Sequence, residues 1–277
     1  MVRMLKPATR NTALSLKELT DARVSLGRHG AGLPTRAQLA FLLDHARARE
    51  AVWTSVDQRS LTDRLNRLGL SVVNVDSAAR DRSIYVRRPD LGRQLSAEST
   101  ARLKQERTAE GCDVAIIVAD GLSSSAVDLN AVPLIEALVP RLAALELSSP
   151  PIVLANQARV AIGDPVGKAL GAKLTIVLVG ERPGLSAADS LGAYITYGPA
   201  PGNPDSNRNC VSNIRDGGLP PHEAAGIITA LTRDMMSTRV SGVGLKAAIA
   251  ALPESENGAA LPKEPMIIAG TQSNQQK

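Results

Sequence analysis

Short, continuously apolar runs alternating with longer stretches of helical spacing dominate the second half of the chain. Cys112–Ala119 (CDVAIIVA) and Leu174–Val179 (LTIVLV) are the clearest runs, and each ends in a glycine-bearing loop, as buried strands do. Pro151–Ala155 and Tyr194–Tyr197 read as further strands and Arg159–Ile162 as a short one. Helices are expected near Leu129–Leu145, over Asp164–Leu170 and from Pro220-Pro221 through Met236, where proline suits the first turn. Pro199–Arg208 is irregular and leads to Asn209–Ile214. Before Glu110 the pattern is looser. Leu14, Leu16, Leu19, Val24 and Leu26 suggest a short amphipathic helix over Thr12–Gly27. The glycine-rich turn Gly27–Pro34 precedes a helix over Thr35–Arg49 that carries Leu39, Leu42, Leu43 and Ala46, with Thr35 as its N-cap. Ser71–Asp76 and Ser83–Val86 are β-like, and the turn Arg87–Arg93 precedes a helix from about Ser96 to Glu106. This punctuation predicts an α/β fold, a Rossmann-like, mostly parallel sheet flanked by helices and preceded by a helical N-terminal segment. The expected organisation is a mainly helical segment 1–110, an α/β domain 111–249 and a mobile tail 250–277 rich in Pro, Glu, Gln and Asn.

Composition narrows the function classes. A hydrophobic fraction of 44% with 21% charged residues can support a sizeable core, whereas a disordered chain would be poorer in apolar residues. Aromatics are only 2%, so Leu, Ile, Val and Ala must fill that core and base-stacking platforms are disfavoured. No apolar run approaches the ~20 residues of a membrane span, and Met1–Arg10 lacks a secretory apolar region, so a cytoplasmic location with no membrane contact is expected. Cys112 and Cys210 are the only cysteines, and with three scattered histidines they offer neither a disulfide framework nor metal-ligand spacing. The net charge of +5 is uneven: Lys and Arg outnumber Asp and Glu by 20 to 12 up to Glu110, and fall short by 12 to 15 beyond it. Such a basic front suits nucleic acid, an acidic protein partner or a cofactor phosphate.

Ligands of open parallel sheets sit beyond the carboxyl ends of the strands, which directs attention to Asp120-Gly121-Leu122-Ser123 and Gly180-Glu181-Arg182-Pro183-Gly184. Both loops are equally explicable as ordinary tight turns. No Gly-x-Gly-x-x-Gly follows a strand, and Gly242-Val243-Gly244 lies near the tail, so a dinucleotide fingerprint is missing; a P-loop is absent too. His29, His45 and His222 have no triad partner by spacing. Asp120 and Glu181 suit acid–base work or simple turn capping, and no complete catalytic or metal constellation is present.

Taken in order, Arg88-Pro89-Asp90-Leu91-Gly92-Arg93, Asp120-Gly121-Leu122-Ser123, Leu178–Leu185, Cys210-Val211-Ser212-Asn213-Ile214 and Gly217-Gly218-Leu219-Pro220-Pro221 resemble the small subunit of ethanolamine ammonia-lyase, as does Gly27–Gly32. The likeness covers roughly Leu19–Gly244. It implies a carbon–nitrogen lyase subunit, active only with a large subunit, in an enzyme that converts ethanolamine to acetaldehyde and ammonia by adenosylcobalamin-dependent radical chemistry. It places the substrate mainly on the large subunit and gives this chain cofactor-binding positions at Val160, Glu181 and Cys210, with no catalytic residue. It makes 111–249 the cobalamin-binding domain and 1–110 the docking segment, and leaves open whether the assembly enters a bacterial microcompartment. None of the histidines stands in Asp-x-His-x-x-Gly, so the cofactor is expected to bind base-on. The rival readings are a nucleotide-binding regulatory domain of Rossmann-like fold, which lacks its glycine fingerprint, and a nucleic-acid binder, which lacks aromatics and a recognition motif.

Overall fold

The computed structural model describes Leu16, Thr20 and residues 22–252. Most of the helix expected over Thr12–Gly27, and the expected tail beyond Leu252, lie outside the described residues. Six strands form one sheet: β1 (Val72–Asp76), β2 (Cys112–Ala119), β3 (Ile152–Asn156), β4 (Ala172–Gly180), β5 (Leu191–Tyr197) and β6 (Asn209–Ile214). Their spatial order is β1-β3-β2-β4-β5-β6. The first four are mutually parallel, while β5 runs antiparallel to β4 and β6 antiparallel to β5. The α/β class stands, and the sheet is mixed. The reason lies in the connections: parallel neighbours need a long crossover, usually helical, and no α-helix intervenes between β4 and β5 or between β5 and β6.

Alternation along the central strands feeds two cores. Val114, Ile116 and Val118 of β2, with Leu174, Ile176 and Leu178 of β4, face helices α2 (Gln58–Arg67), α5 (Ser124–Ala144) and α7 (Pro221–Thr238) through Leu65, Leu134, Leu138 and Ile228. Ala115, Ile117 and Ala119 with Val177 and Val179 face the other way, where Leu103 of α4 (Ala97–Glu106) and Val166 of α6 (Gly163–Leu170) close the second core. Both faces of the sheet are therefore covered, which is why these strands read as continuous apolar runs. Strand β1, from the segment expected to be mainly helical, forms one edge of the same sheet through β3. No helix among the described residues is long and apolar enough to cross a membrane.

Several local expectations change. Ser83–Val86, expected as β, lies within helix α3 (Arg82–Arg87): the Asp81 carboxylate accepts the Ile84 amide at 2.9 Å, and this cap outweighs the β-preference of Ile-Tyr-Val. Arg159–Ile162, expected as a strand, turns instead into a 3-10 helix at Val160–Ile162. Helix α1 (Thr35–Trp53) is capped by Pro34 without a side-chain hydrogen bond, and Thr35 is its first helical residue rather than its cap. Helix α5 begins five residues earlier than expected, because the Ser123 hydroxyl accepts the Ala126 amide at 3.2 Å. Helix α2 and strand β6 were not foreseen. The last helix, α8, spans Leu245–Ala250.

Candidate functional site

The two glycine loops noted in the sequence interlock at the carboxyl ends of β2 and β4. Gly121 has φ +60°, and a Cβ there would stand 2.2 Å from the Gly180 carbonyl oxygen; a Cβ on Gly180 would stand 2.0 Å from that of Ser123. Only glycine permits this approach, and it is secured by the Leu122 amide donating to the Gly180 carbonyl at 2.9 Å. Glu181 is the next residue along. Its carboxylate accepts from the Ser190 hydroxyl and, at 3.4 Å, from the Asn213 amide, both through Oε2. Oε1 has no hydrogen-bond partner among the described residues and lies beside Gly192, where a side chain would meet it at 2.9 Å.

Asp120 directly follows β2 and is buried, 4% exposed. It accepts the amides of Gln157 and Ala158 at 3.0 and 2.9 Å, and Arg82 Nη1 at 3.3 Å. Burial raises its pKa, opposed by those amides and by Arg82. The carboxylate therefore ties the end of β3 to that of β2, turning the chain at Gln157 (φ +50°) into the segment that carries Val160. Near Val160, the fully buried Tyr85 ring has two guanidinium groups over it, Arg159 at 4.3 Å and Arg82 at 4.7 Å from its centroid. Its hydroxyl donates to the Ala158 carbonyl at 3.2 Å. Burial first, and then the charge of Asp120, hold that phenol well above its ordinary range, against the pull of both arginines.

Two adjoining cavities of about 410 Å³ each open above this layer. Tyr85, Val160, Glu181 and Tyr194 line the first; Val160, Tyr194, Arg208 and Cys210 line the second, and Arg159 borders both. Val160, Glu181 and Cys210 are thus brought together from three separate segments, the turn after β3, the loop after β4 and strand β6. Tyr194 stands between the latter two, opposite Cys210 in register. Cys210 is exposed, yet the protein crowding its thiol raises the pKa, the Glu181 carboxylate adds to this, and the Tyr194 hydroxyl opposes it. Arg208 fixes the irregular loop before β6 through a buried pair with Asp164 of α6, at 2.6 and 3.1 Å.

A larger cavity, about 560 Å³, lies between α1, the start of α5 and residues 185–189. It holds none of the expected positions. The pair at the strand ends is the better candidate because loops from three strands converge there. Sequence reading missed Tyr85, Arg159, Tyr194 and Arg208 at this site. Scarcity was the available signal for the tyrosines, since a chain with three of them has two around one site. His29, His45 and His222 line neither cavity.

Similarity to known proteins bears on what these cavities serve. Residues 10–246 match the family model described as Ethanolamine ammonia-lyase light chain (EutC). The chain is 48% identical over 262 residues to the ethanolamine ammonia-lyase small subunit of Bradyrhizobium diazoefficiens, covering 94% of this chain and 100% of that one. It is 49% identical to the small subunit of Azotobacter vinelandii over 87% of this chain and 90% of that one. For Rhodopseudomonas palustris the identity is 50%, over 88% and 93%. Identity at this level along nearly the whole length, together with the five ordered motifs, shows that the chain belongs to the family of ethanolamine ammonia-lyase small subunits.

Proposed function

We propose that this small subunit binds adenosylcobalamin, base-on, at its interface with a large subunit, and that Val160, Glu181 and Cys210 are its contacts to the cofactor. The large subunit holds ethanolamine. When bound, the cofactor supplies the radical chemistry by which ethanolamine becomes acetaldehyde and ammonia. The observation that carries this reading is the convergence of the three positions on adjoining cavities at the strand ends, with Glu181 Oε1 left free to accept a hydrogen bond. The donor set fits the group: one open carboxylate oxygen suits a peripheral amide, Val160 offers an apolar contact, and no histidine stands by to replace the cofactor's own base. Each cavity has a volume suited to a drug-sized ligand, and a corrinoid with its nucleotide is far larger. This chain is therefore one wall of a shared site. On this reading 111–249 is the cobalamin domain, its parallel half Rossmann-like and completed by β1, and the remainder of 1–110 is the docking segment. The nucleotide-binding alternative is not favoured, because no strand here leads into a glycine fingerprint.

The test is an absorbance titration of adenosylcobalamin into the purified two-subunit complex. Glu181→Ala should weaken cofactor binding by roughly ten- to a hundredfold, the equivalent of about 1–3 kcal/mol for an unpaired buried donor, while the KM for ethanolamine moves far less. Cys210→Ser and Val160→Ala should have smaller effects of the same kind. Unchanged cofactor affinity in all three assembled variants would reassign these positions to structure.

A further inference from the structure

Helix α1 presents its large apolar residues to solvent and its small ones to the protein. Ala37, Asp44, Ala48, Ala51 and Val52 share the face that is partly or fully buried. On the opposite side Leu39, Leu42, Leu43 and Ala46 recur at the three- and four-residue spacing of one helical stripe, and Trp53 follows on the same side past the exposed Glu50, with Leu39 60%, Leu42 51%, Leu43 52% and Trp53 52% exposed. A surface helix ordinarily turns such a stripe inward. This helix also lacks a side-chain N-cap, an acidic first turn and a basic last turn, so little besides packing supports it. The contiguous exposed part, Leu39 to Ala46, is of the kind that marks a protein contact.

The position of α1 identifies what covers it. Its Val52 carbonyl accepts Arg82 Nε at 2.6 Å, and Arg82 pairs with Asp120 at the end of β2. Its flank borders the 560 Å³ cavity together with Ser124, Ser125 and Asp128, in the first turns of α5 directly after β2. The C-terminal part of α1 therefore lies at the same end of the sheet as the strand-end cavities, and a large subunit that closes over those cavities and extends along the helix covers the stripe. Exposed Arg36 and Arg47 border the stripe on one side and Arg49 on the other. We infer that the stripe Leu39–Leu42–Leu43–Ala46–Trp53 docks into an apolar groove of the large subunit rimmed by acidic side chains. This surface extends the interface proposed above and rests on that reading.

The experiment co-expresses the full chain with its large subunit and measures association by sedimentation velocity. Leu42→Glu/Leu43→Glu should weaken assembly by at least about a hundredfold, since burying each leucine contributes roughly ten- to a hundredfold. Trp53→Ser, at the far end of the stripe, should weaken it in the same direction. Gln38→Ser/Ala40→Ser, a neutral change at exposed positions off the stripe, should leave it unchanged. In the stripe variants the melting temperature of the free chain should move far less than assembly does, because about half of each replaced side chain already faces solvent. Wild-type affinity in the stripe variants overturns the inference while leaving the cofactor reading intact. A wild-type chain that never associates with the large subunit sinks both. Self-association of the free chain through this stripe that persists in the complex also overturns it.

Discussion

Replacing Asp164 by asparagine tests whether the loop before β6 is held by charge or by shape. The wild-type carboxylate accepts two bonds from Arg208, at 2.6 and 3.1 Å, and both side chains are only 3% exposed. Asparagine keeps the size but leaves the guanidinium buried without its counter-ion, a change that typically costs about 3–5 kcal/mol. The lower end applies here. Arg208 Nε also approaches Asp205 at 3.3 Å, and Thr196 Oγ1 and the Asn203 carbonyl accept at 3.2 and 3.3 Å, so part of the charge stays compensated. A loss near 3 kcal/mol lowers the melting temperature by about 6–12 °C for a domain of this size. The assay is thermal unfolding of Asp164→Asn, Arg208→Met and the double variant. The double variant should be less damaged than Asp164→Asn alone, because it buries no unpaired charge. A fall below about 1 kcal/mol for Asp164→Asn, or a double variant worse than the sum of the singles, would refute the account.

Two further outcomes follow from the same geometry. Gly180→Ala places a Cβ against the Ser123 and Asp120 carbonyl oxygens, 2.0 and 2.8 Å away, so the interlocked loops must part; a loss of about 1–3 kcal/mol is expected by chemical denaturation, with weakened cofactor binding because Glu181 follows directly. Cys210 is exposed and Cys112 buried, with burial pushing the Cys112 thiol up to about 11. A thiol reagent should therefore label only Cys210 in the native chain, faster as pH rises above the ordinary thiol range because its pKa is also raised; adenosylcobalamin should protect it in the complex, and mass spectrometry of the labelled peptides reads both.

How much of this was legible depended on whether the deciding partner was near in sequence. CDVAIIVA and LTIVLV announced β2 and β4 because strands buried on both faces need no polar alternation. Strand β6 did not, since only Val211 and Ile214 of its six residues are buried. Helix α2 was hidden by its polarity, with Leu61 and Leu65 alone buried, although the Asp57 cap accepting the Ser60 amide was a readable signal. Glu181 and Cys210 entered through motifs. Their neighbours Tyr85 and Arg159 are defined by a stack closed between residues more than seventy positions apart, and no local pattern encodes it. Asp120 read equally well as an acid, a base or a turn carboxylate until its partners Gln157, Ala158 and Arg82 were seen.

The mixed sheet bears on how the chain folds. Strands β4, β5 and β6 form a meander of neighbours in sequence, so their pairing closes short loops. The β1–β3 and β2–β4 pairings join residues some sixty to eighty positions apart, as in Val72 with Ile152 and Cys112 with Ala172, and such contacts form slowly. Glu181 and Cys210 belong to the quick, local half, whereas Val160 follows β3 in the slow one. The two cavities thus exist only once both halves have joined, and their appearance in a refolding experiment is a clock for the last long-range pairing.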